Sequence, residues 1–139
     1  MKTIKHLIAV LAMIFAFNAN AAPDEKYCQE AADITGTIAE LVRAEAEVAA
    51  IDDDVHIGAG YFVNKSLKYG RMFAIQQSEI NAKKVIVAWA VTGGLEAYKG
   101  NPDPAVTMYE FCMKYDRDEF MAMSLKHYDN IMNKINKAK

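Results

Sequence analysis

The chain has 139 residues, of which 53% are hydrophobic and 24% are charged, and its formal net charge at pH 7 is −2. This length predicts one domain with a single core, and no internal repeat, low-complexity tract or interdomain linker is found. The small net charge, with no basic patch interleaved with aromatic residues, argues against nucleic acid as a partner.

Residues 1–21 have the three parts of a cleavable secretory signal peptide. Two lysines form a positive n-region, residues 7–17 form an apolar h-region, and Ala-Asn-Ala at 19–21 supplies the small residues that a signal peptidase reads. The apolar run is shorter than the roughly 20 residues that a spanning helix needs, and no later stretch is long enough either. We therefore expect a periplasmic protein of residues 22–139, with no membrane partner after signal cleavage.

The first predicted helix covers residues 24–51. Pro23 and the acids after it suit a helix N-terminus. Apolar residues then recur at helical spacing, at Ile34, Ile38, Leu41, Val48 and Ile51. The run Asp52-Asp53-Asp54 should end the helix, because carboxylates oppose the negative end of its dipole. Gly36 interrupts the pattern, and we interpret it as a point where another part of the backbone comes close.

Residues 55–70 show no clear pattern. Apolar residues alternate there as in a strand, while Gly58, Gly60 and Gly70 weaken both a strand and a helix. We expect a loop that leads into a short helix near 61–69.

Residues 72–91 predict a central helix. The run Val85–Val91 is apolar on all sides, which is typical of a buried helix or a buried strand. Helical spacing that extends back to Met72 favours the helix. We expect Gly93-Gly94 to end this helix, with one more turn over 95–99.

The last third predicts two helices. Asp103-Pro104 is a strong start signal, with Asp103 as N-cap, for a helix that runs to about Tyr115. A final helix should begin at Asp116 or Asp118, because an amphipathic stripe follows at Met121, Leu125, Tyr128, Met132 and Ile135. The predicted fold class is thus all-α, a small bundle of four to five helices stapled by one disulfide.

That disulfide joins Cys28 and Cys112, the two cysteines of the chain. In an oxidising compartment a pair of cysteines most simply forms a disulfide. A redox role is disfavoured, because redox cysteines usually lie close in sequence, as in C-x-x-C. The bond would tie the start of the domain to its last third.

No catalytic or metal motif of useful specificity is present. The mature chain has two histidines, His56 and His127, and its serines lie in neither G-x-S-x-G nor S-x-x-K. His56 follows the three aspartates in a spacing that matches no metal site of known geometry. We therefore expect no enzymatic activity and no cofactor.

Met121, Met123 and His127 are the weak candidates for a metal site. Thioethers and imidazole suit Cu(I), and helical spacing brings Met123 and His127 onto one face. Met121, however, belongs to the apolar stripe, and methionine often fills gaps in cores. Core packing is therefore the favoured interpretation of these residues.

Charge is distributed unevenly along the chain. Residues 24–54 carry ten acids against two bases, whereas residues 55–100 carry six bases against two acids. The favoured interpretation is that the acidic segment packs beside the basic one. The alternative is an acidic face offered to a basic partner, and its candidate residues are Glu45, Glu47, Asp52, Asp53 and Asp54.

These observations favour a small, non-enzymatic periplasmic binding protein. Its partner would be another protein, such as a toxin or lytic enzyme that acts on the cell wall and that this chain would inhibit or confer immunity against. One alternative is a stress chaperone, a holdase that uses the methionine-rich last third to bind unfolding clients. Another is a carrier of a metal or small ligand, and a homodimer is a further partner hypothesis.

Overall fold

The computed structural model describes residues 22–53 and 57–138, except for the side chains of Asp52 and Asp53. The predicted signal segment, Asp54 and His56 lie outside the described residues. The described chain forms five helices and no strand: α1 (Glu25–Asp53), α2 (Ala59–Ala74), α3 (Ile80–Tyr98), α4 (Pro104–Cys112) and α5 (Arg117–Ala138). The predicted all-α bundle is therefore confirmed.

Helix α3 lies at the centre of the bundle and packs against α1, α2 and α5. Every residue from Val85 to Val91 is buried. A helix that is apolar all round has to be covered on all sides, and the bundle provides that cover. This confirms the helical interpretation of the apolar run.

The glycine pair Gly93-Gly94 does not end α3, contrary to our prediction, and the helix continues to Tyr98. A Cβ atom at Gly93 would overlap the carbonyl oxygen of Thr35 on α1, and one at Gly94 would lie 2.9 Å from the Cβ of Ser66 on α2. The two glycines are needed because α1 and α2 cross α3 in close contact.

At Gly36 the backbones of α1 and α4 also come close together, as the sequence indicated. A Cβ atom there would lie 2.9 Å from the Cβ of Ala105 on α4. The interpretation of Gly36 as a point of close approach is confirmed. The short helix α4 is thus held directly against the middle of α1.

The single helix predicted over residues 72–91 is wrong, because the chain turns between Ala74 and Ile80. The spacing that suggested one helix came partly from Ile75 and Ile80, but these side chains are 75% and 67% exposed and flank the turn. Helix α2 in turn begins at Ala59, earlier than the predicted loop allowed.

The disulfide joins α1 to the last residue of α4. Cys28 and Cys112 are bonded with their Cα atoms 5.5 Å apart, and both residues are buried. This confirms the predicted staple. Helix α4 ends at Cys112 rather than near Tyr115, so the staple closes its final turn.

The starts of α4 and α5 follow the predicted capping residues. Asp103 Oδ1 accepts a hydrogen bond from the Val106 amide at 3.2 Å. Before α5, Asp116 Oδ1 accepts from the Glu119 amide at 2.8 Å, and Glu119 Oε1 accepts from the Asp116 amide at 3.2 Å. This reciprocal capping box satisfies amides that have no partner within the helix.

Within residues 22–53 and 57–138, none of the helices combines the length and the apolar character that crossing a bilayer requires.

Candidate functional site

A pocket of about 430 Å³ lies where α4 and α5 separate above α3. Helix α4 packs on α1 and helix α5 packs on α3, but α4 and α5 touch each other little. The pocket is lined by Ala88, Trp89, Thr92, Glu96, Pro104, Thr107, Met108, Phe111, Phe120, Met123, Ser124 and His127. Pockets of roughly 300–1,000 Å³ with mostly apolar walls are typical sites for small ligands.

The floor of the pocket is an aromatic pair whose polar atom is already satisfied. The rings of Trp89 and Phe120 stack with centroids 6.1 Å apart. Trp89 Nε1 donates to Ser124 Oγ at 3.0 Å, and Ser124 Oγ donates to the Phe120 carbonyl at 2.9 Å. Because these groups bond to one another, the floor offers a ligand mainly apolar surface.

One turn further along α3 and α5, the pocket wall carries a polar contact between Thr92 and His127. Thr92 Oγ1 lies 3.0 Å from the Ala88 carbonyl oxygen and 3.2 Å from His127 Nε2. Which group donates in this second contact depends on the tautomer of His127, since either ring nitrogen of a neutral imidazole can carry the proton.

His127 is held in its neutral form by its surroundings. Burial lowers the pKa of the His127 imidazole, and the positive charge of Lys134 lowers it further. Both effects act against the protonated ring. The pocket therefore contains an uncharged imidazole near neutral pH.

The rim of the pocket is partly open and carries little free charge. Phe111 and Met123 are 40% and 37% exposed. Glu96 is the one carboxylate of the lining, and its two oxygens contact Asn101 Nδ2 at 3.0 Å and Lys99 Nζ at 3.5 Å. No lysine or arginine lines the pocket. The site suits a neutral, apolar ligand better than an anion.

The three candidate metal ligands, Met121, Met123 and His127, do not lie at one site in the structure. Met123 and His127 both line the pocket, whereas Met121 packs against the main core cluster. Among the described residues, no group of three or more His, Cys, Asp or Glu side chains is placed to hold a metal ion. Only the Met123 and His127 part of the predicted set is brought together.

The predicted partner-binding residues Glu45 and Glu47 also differ in their surroundings. Glu45 is half-buried, accepts a hydrogen bond from the Tyr69 hydroxyl and lies 3.5 Å from Lys65 Nζ. The Tyr69 hydrogen bond, more than the Lys65 charge, lowers the pKa of the Glu45 carboxyl. Glu45 is therefore used within the fold, as the packing of acidic against basic segments predicted. Glu47 is exposed.

The exposed acids of α1 extend further than the sequence reasoning proposed. Glu30, Asp33, Glu40 and Glu47 are all exposed, and their spacing places them on one side of the helix. None of the four forms an ion pair with a described residue. We call these four residues the acidic face. Asp52, Asp53 and Asp54, also predicted for this surface, have no described side chains.

Sequence reasoning did not identify the pocket. Of its lining, Met123 and His127 were considered for a metal site, and the methionines of the last third, which include Met108 and Met123, were considered for binding unfolding clients. One signal was available: Met123 lies off the apolar stripe of α5, so an apolar side chain there faces away from the core. The spacing of α4 and α5, which creates the pocket, leaves no such local signal.

Comparison with protein-family models, with curated proteins and with solved structures finds no match to this chain.

Proposed function

We propose that this protein is a non-enzymatic carrier that binds a small apolar molecule in the pocket between α4 and α5. The observation that supports this function is the pocket itself, an open apolar site of about 430 Å³ built from three helices. A sequence that only filled its core would be expected to close such a gap, because protein interiors are normally packed without voids. The periplasmic location remains the prediction made from residues 1–21.

The chemistry of the lining restricts the ligand. Aromatic and methionine side chains provide an apolar, adaptable surface, and the neutral His127 provides a hydrogen-bonding group at one wall. Because Glu96 already has partners and no basic residue lines the site, a charged ligand would be buried without compensation. We therefore propose a neutral ligand with a ring system or a short hydrocarbon chain.

The sole tryptophan of the chain provides the assay. Trp89 lies in the pocket floor, so a bound fluorophore should quench its emission by energy transfer. Titration with N-phenyl-1-naphthylamine, a neutral apolar probe, should give saturable quenching. Met123→Asp places a charge in the apolar wall and should weaken binding by about tenfold or more.

The matched control is Val48→Asp. Val48 is also an exposed apolar residue, 58% accessible, but it lies on α1, outside the pocket lining. This variant should bind the probe as the unmodified protein does. Non-saturable quenching, or equal binding by the Met123→Asp and unmodified proteins, would contradict the proposed carrier function.

A second candidate function is binding of a basic protein, and the acidic face favours it. A surface of one charge sign steers a partner of the opposite sign and speeds association. The partner would be a basic toxin or lytic enzyme, which the protein would inhibit or neutralise.

Lysozyme is a suitable basic probe for this second function. Glu40→Lys with Glu47→Lys should slow association and reduce its salt dependence, as measured by surface plasmon resonance. Glu110→Lys with Asp129→Lys changes the net charge equally at exposed positions outside the acidic face. Equal effects of the two double variants would exclude the acidic face as a specific docking site.

A further inference from the structure

The turn between α2 and α3 exposes apolar side chains that no described residue covers. Met72, Ile75 and Ile80 are 54%, 75% and 67% exposed. Ile75 is the C-cap of α2 and Ile80 begins α3, so the turn that joins the two helices brings these side chains to one end of the bundle. We call these three residues the apolar tip. Such exposure of large apolar groups in one place commonly marks a binding surface.

A basic cleft adjoins the apolar tip. It has a volume of about 240 Å³ and is lined by Arg71, Ala74, Ile75, Lys83, Lys84, Val87 and Tyr128. Ile75 belongs to both the cleft and the tip, which makes the two surfaces continuous. None of the three bases forms an ion pair with a described residue.

The fold accounts for only part of this arrangement. Arg71 lies in the last turn of α2, where the helix dipole favours a positive charge, but Lys83 and Lys84 have no such position. Lys83 and Lys84 lie near the start of α3, where the positive end of the helix dipole disfavours further positive charge. Lys84 Nζ is held 5.7 Å from the centroid of the Tyr128 ring. Arg71, from α2, adds a third positive charge to the same cleft. A bound anion would offset this concentration of positive charge.

We propose that the apolar tip and the basic cleft together dock the protein onto an anionic phospholipid surface. Met72, Ile75 and Ile80 enter the boundary between headgroups and acyl chains, as the apolar side of an interfacial helix does. The bases of the cleft bind headgroup phosphates, and Tyr128 lies beside them. This binding is peripheral and needs no membrane-spanning segment.

A second copy of the chain fits this surface less well. Most homodimers have two-fold symmetry, so the same patch would face itself. Such a contact would bring Arg71, Lys83 and Lys84 against the same bases of the other copy, and like charges would repel. Three apolar side chains also cover much less than the roughly 800 Å² per partner of a stable interface.

Co-sedimentation with lipid vesicles tests the proposal. The protein should bind vesicles of an equimolar mixture of phosphatidylcholine and phosphatidylglycerol, should not bind phosphatidylcholine alone, and should be released by added salt. Ile75→Ser with Ile80→Ser, and separately Lys83→Glu with Lys84→Glu, should each lower the partition coefficient by about tenfold or more.

Matched controls come from other exposed positions. Val48→Ser with Ile51→Ser removes two exposed apolar side chains from α1, and Lys114→Glu with Lys126→Glu makes the same charge change on exposed lysines elsewhere. Both control pairs should bind within about twofold of the unmodified protein. Circular dichroism spectra should show that all four double variants remain helical.

Three outcomes would overturn the proposal. They are no binding to the anionic vesicles, equal binding to both vesicle types, and equal loss in the test and control pairs. Sedimentation velocity without lipid adds a fourth: a dimer that Ile75→Ser with Ile80→Ser dissociates would show that the tip is a self-association surface. The tip lies outside the pocket between α4 and α5, so these outcomes leave the carrier function to its own test.

Discussion

The two sides of α3 are packed in opposite ways. On the side of α1 and α2, helix backbones approach so closely that Gly93 and Gly94 leave no room for a Cβ atom. On the side of α4 and α5, the neighbouring helices separate and leave a pocket of about 430 Å³. One helix therefore has close backbone contacts on one face and an open pocket on another.

The residue types on the two faces account for this difference. Small residues, with Gly70 and Ala90 beside the glycine pair, allow α1, α2 and α3 to form a close three-helix unit. Bulky aromatic rings lie on the other face, where the ring centroids of Phe111 on α4 and Phe120 on α5 are 6.2 Å apart. The close unit is expected to determine stability, and the open face is expected to tolerate change.

The largest expected loss of stability comes from removing the Cys28–Cys112 disulfide. This bond joins α1, in the close three-helix unit, to α4, on the side of α3 where the pocket lies (the open face). Replacing both Cys28 and Cys112 by serine should lower the free energy of unfolding by about 4.5 kcal/mol, because the unfolded chain regains the entropy of a long loop. Urea unfolding followed by circular dichroism measures this loss. Helix α4 ends at Cys112, so its amides should show the largest increase in hydrogen exchange.

Reduction of the unmodified protein is the control for the double serine variant. Both should show the same free energy of unfolding in urea. A loss below about 1 kcal/mol in both would contradict the stabilising role of the bond. An increase in exchange spread evenly over α2 and α4 would contradict the view that the bond acts mainly on the open face.

The next largest loss of stability should come from a substitution where α3 packs closely against α1. Gly93→Ala places a methyl group against the backbone of Thr35, which cannot move without shifting α1. We expect a loss of about 3 kcal/mol in the free energy of unfolding, at the upper end of the usual cost of overpacking. Thermal and urea unfolding both measure it.

Gly60→Ala is the matched control for that change. Gly60 lies in the first turn of α2, and a Cβ atom there meets nothing within 4 Å. Alanine should stabilise the helix there by about 0.5–1 kcal/mol, because it restricts the unfolded chain more than glycine does. If both variants were stabilised by a similar amount, glycine flexibility rather than close packing would govern both positions.

The fold was predictable where local pattern and tertiary role agree. The run Val85–Val91 is apolar on all sides, which only a buried element tolerates, and the Asp103-Pro104 pair is a start signal that does not depend on distant contacts. The pairing of Cys28 with Cys112 followed from the number of cysteines. In each case the information lay in a short stretch of sequence or in composition.

Prediction failed where the same pattern has two physical meanings. Gly93-Gly94 reads as a helix end, but it serves a helix crossing that depends on residues far away in sequence. Ile75 and Ile80 extend a helical spacing, although both are exposed beside a turn. The pocket depends on the distance between α4 and α5, which no residue pattern encodes. Of its lining, the sequence singled out only the metal candidates Met123 and His127 and the methionines of the last third, Met108 among them.

A smaller effect is expected from enlarging a side chain on the open face. Met123→Trp adds volume at a position that is 37% exposed at the pocket rim. We expect a change of less than about 0.5 kcal/mol in the free energy of unfolding, as for most surface substitutions. The added ring should occupy part of the pocket and weaken binding of N-phenyl-1-naphthylamine.

Ala90→Leu is the control on the close face. Ala90 is fully buried, and its Cβ lies where a side chain at Gly70 would be placed. Enlarging this residue should cost about 1–3 kcal/mol. Similar stabilities for the Met123→Trp and Ala90→Leu proteins would remove the contrast between the two faces.

The smallest effect is a pH dependence of stability that comes from His127 on the open face. Burial and the charge of Lys134 lower the pKa of His127 in the folded protein from its ordinary value of 6.5. The folded state therefore binds this proton less readily than the unfolded state does. The stability contribution is fully present above pH 6.5 and is lost as the pH falls below that value towards the folded pKa.

His127→Gln should remove this dependence. The difference in free energy of unfolding between the two proteins, measured by urea unfolding at several pH values, should decrease on acidification below pH 6.5. Taking the difference cancels the contributions of all other groups, which the two proteins share. A nuclear magnetic resonance titration should show the His127 ring protonating at a lower pH in the folded protein than in the unfolded protein. A difference that grows on acidification would mean that the pocket favours the charged ring, and the neutral site proposed for an uncharged ligand would have to be abandoned.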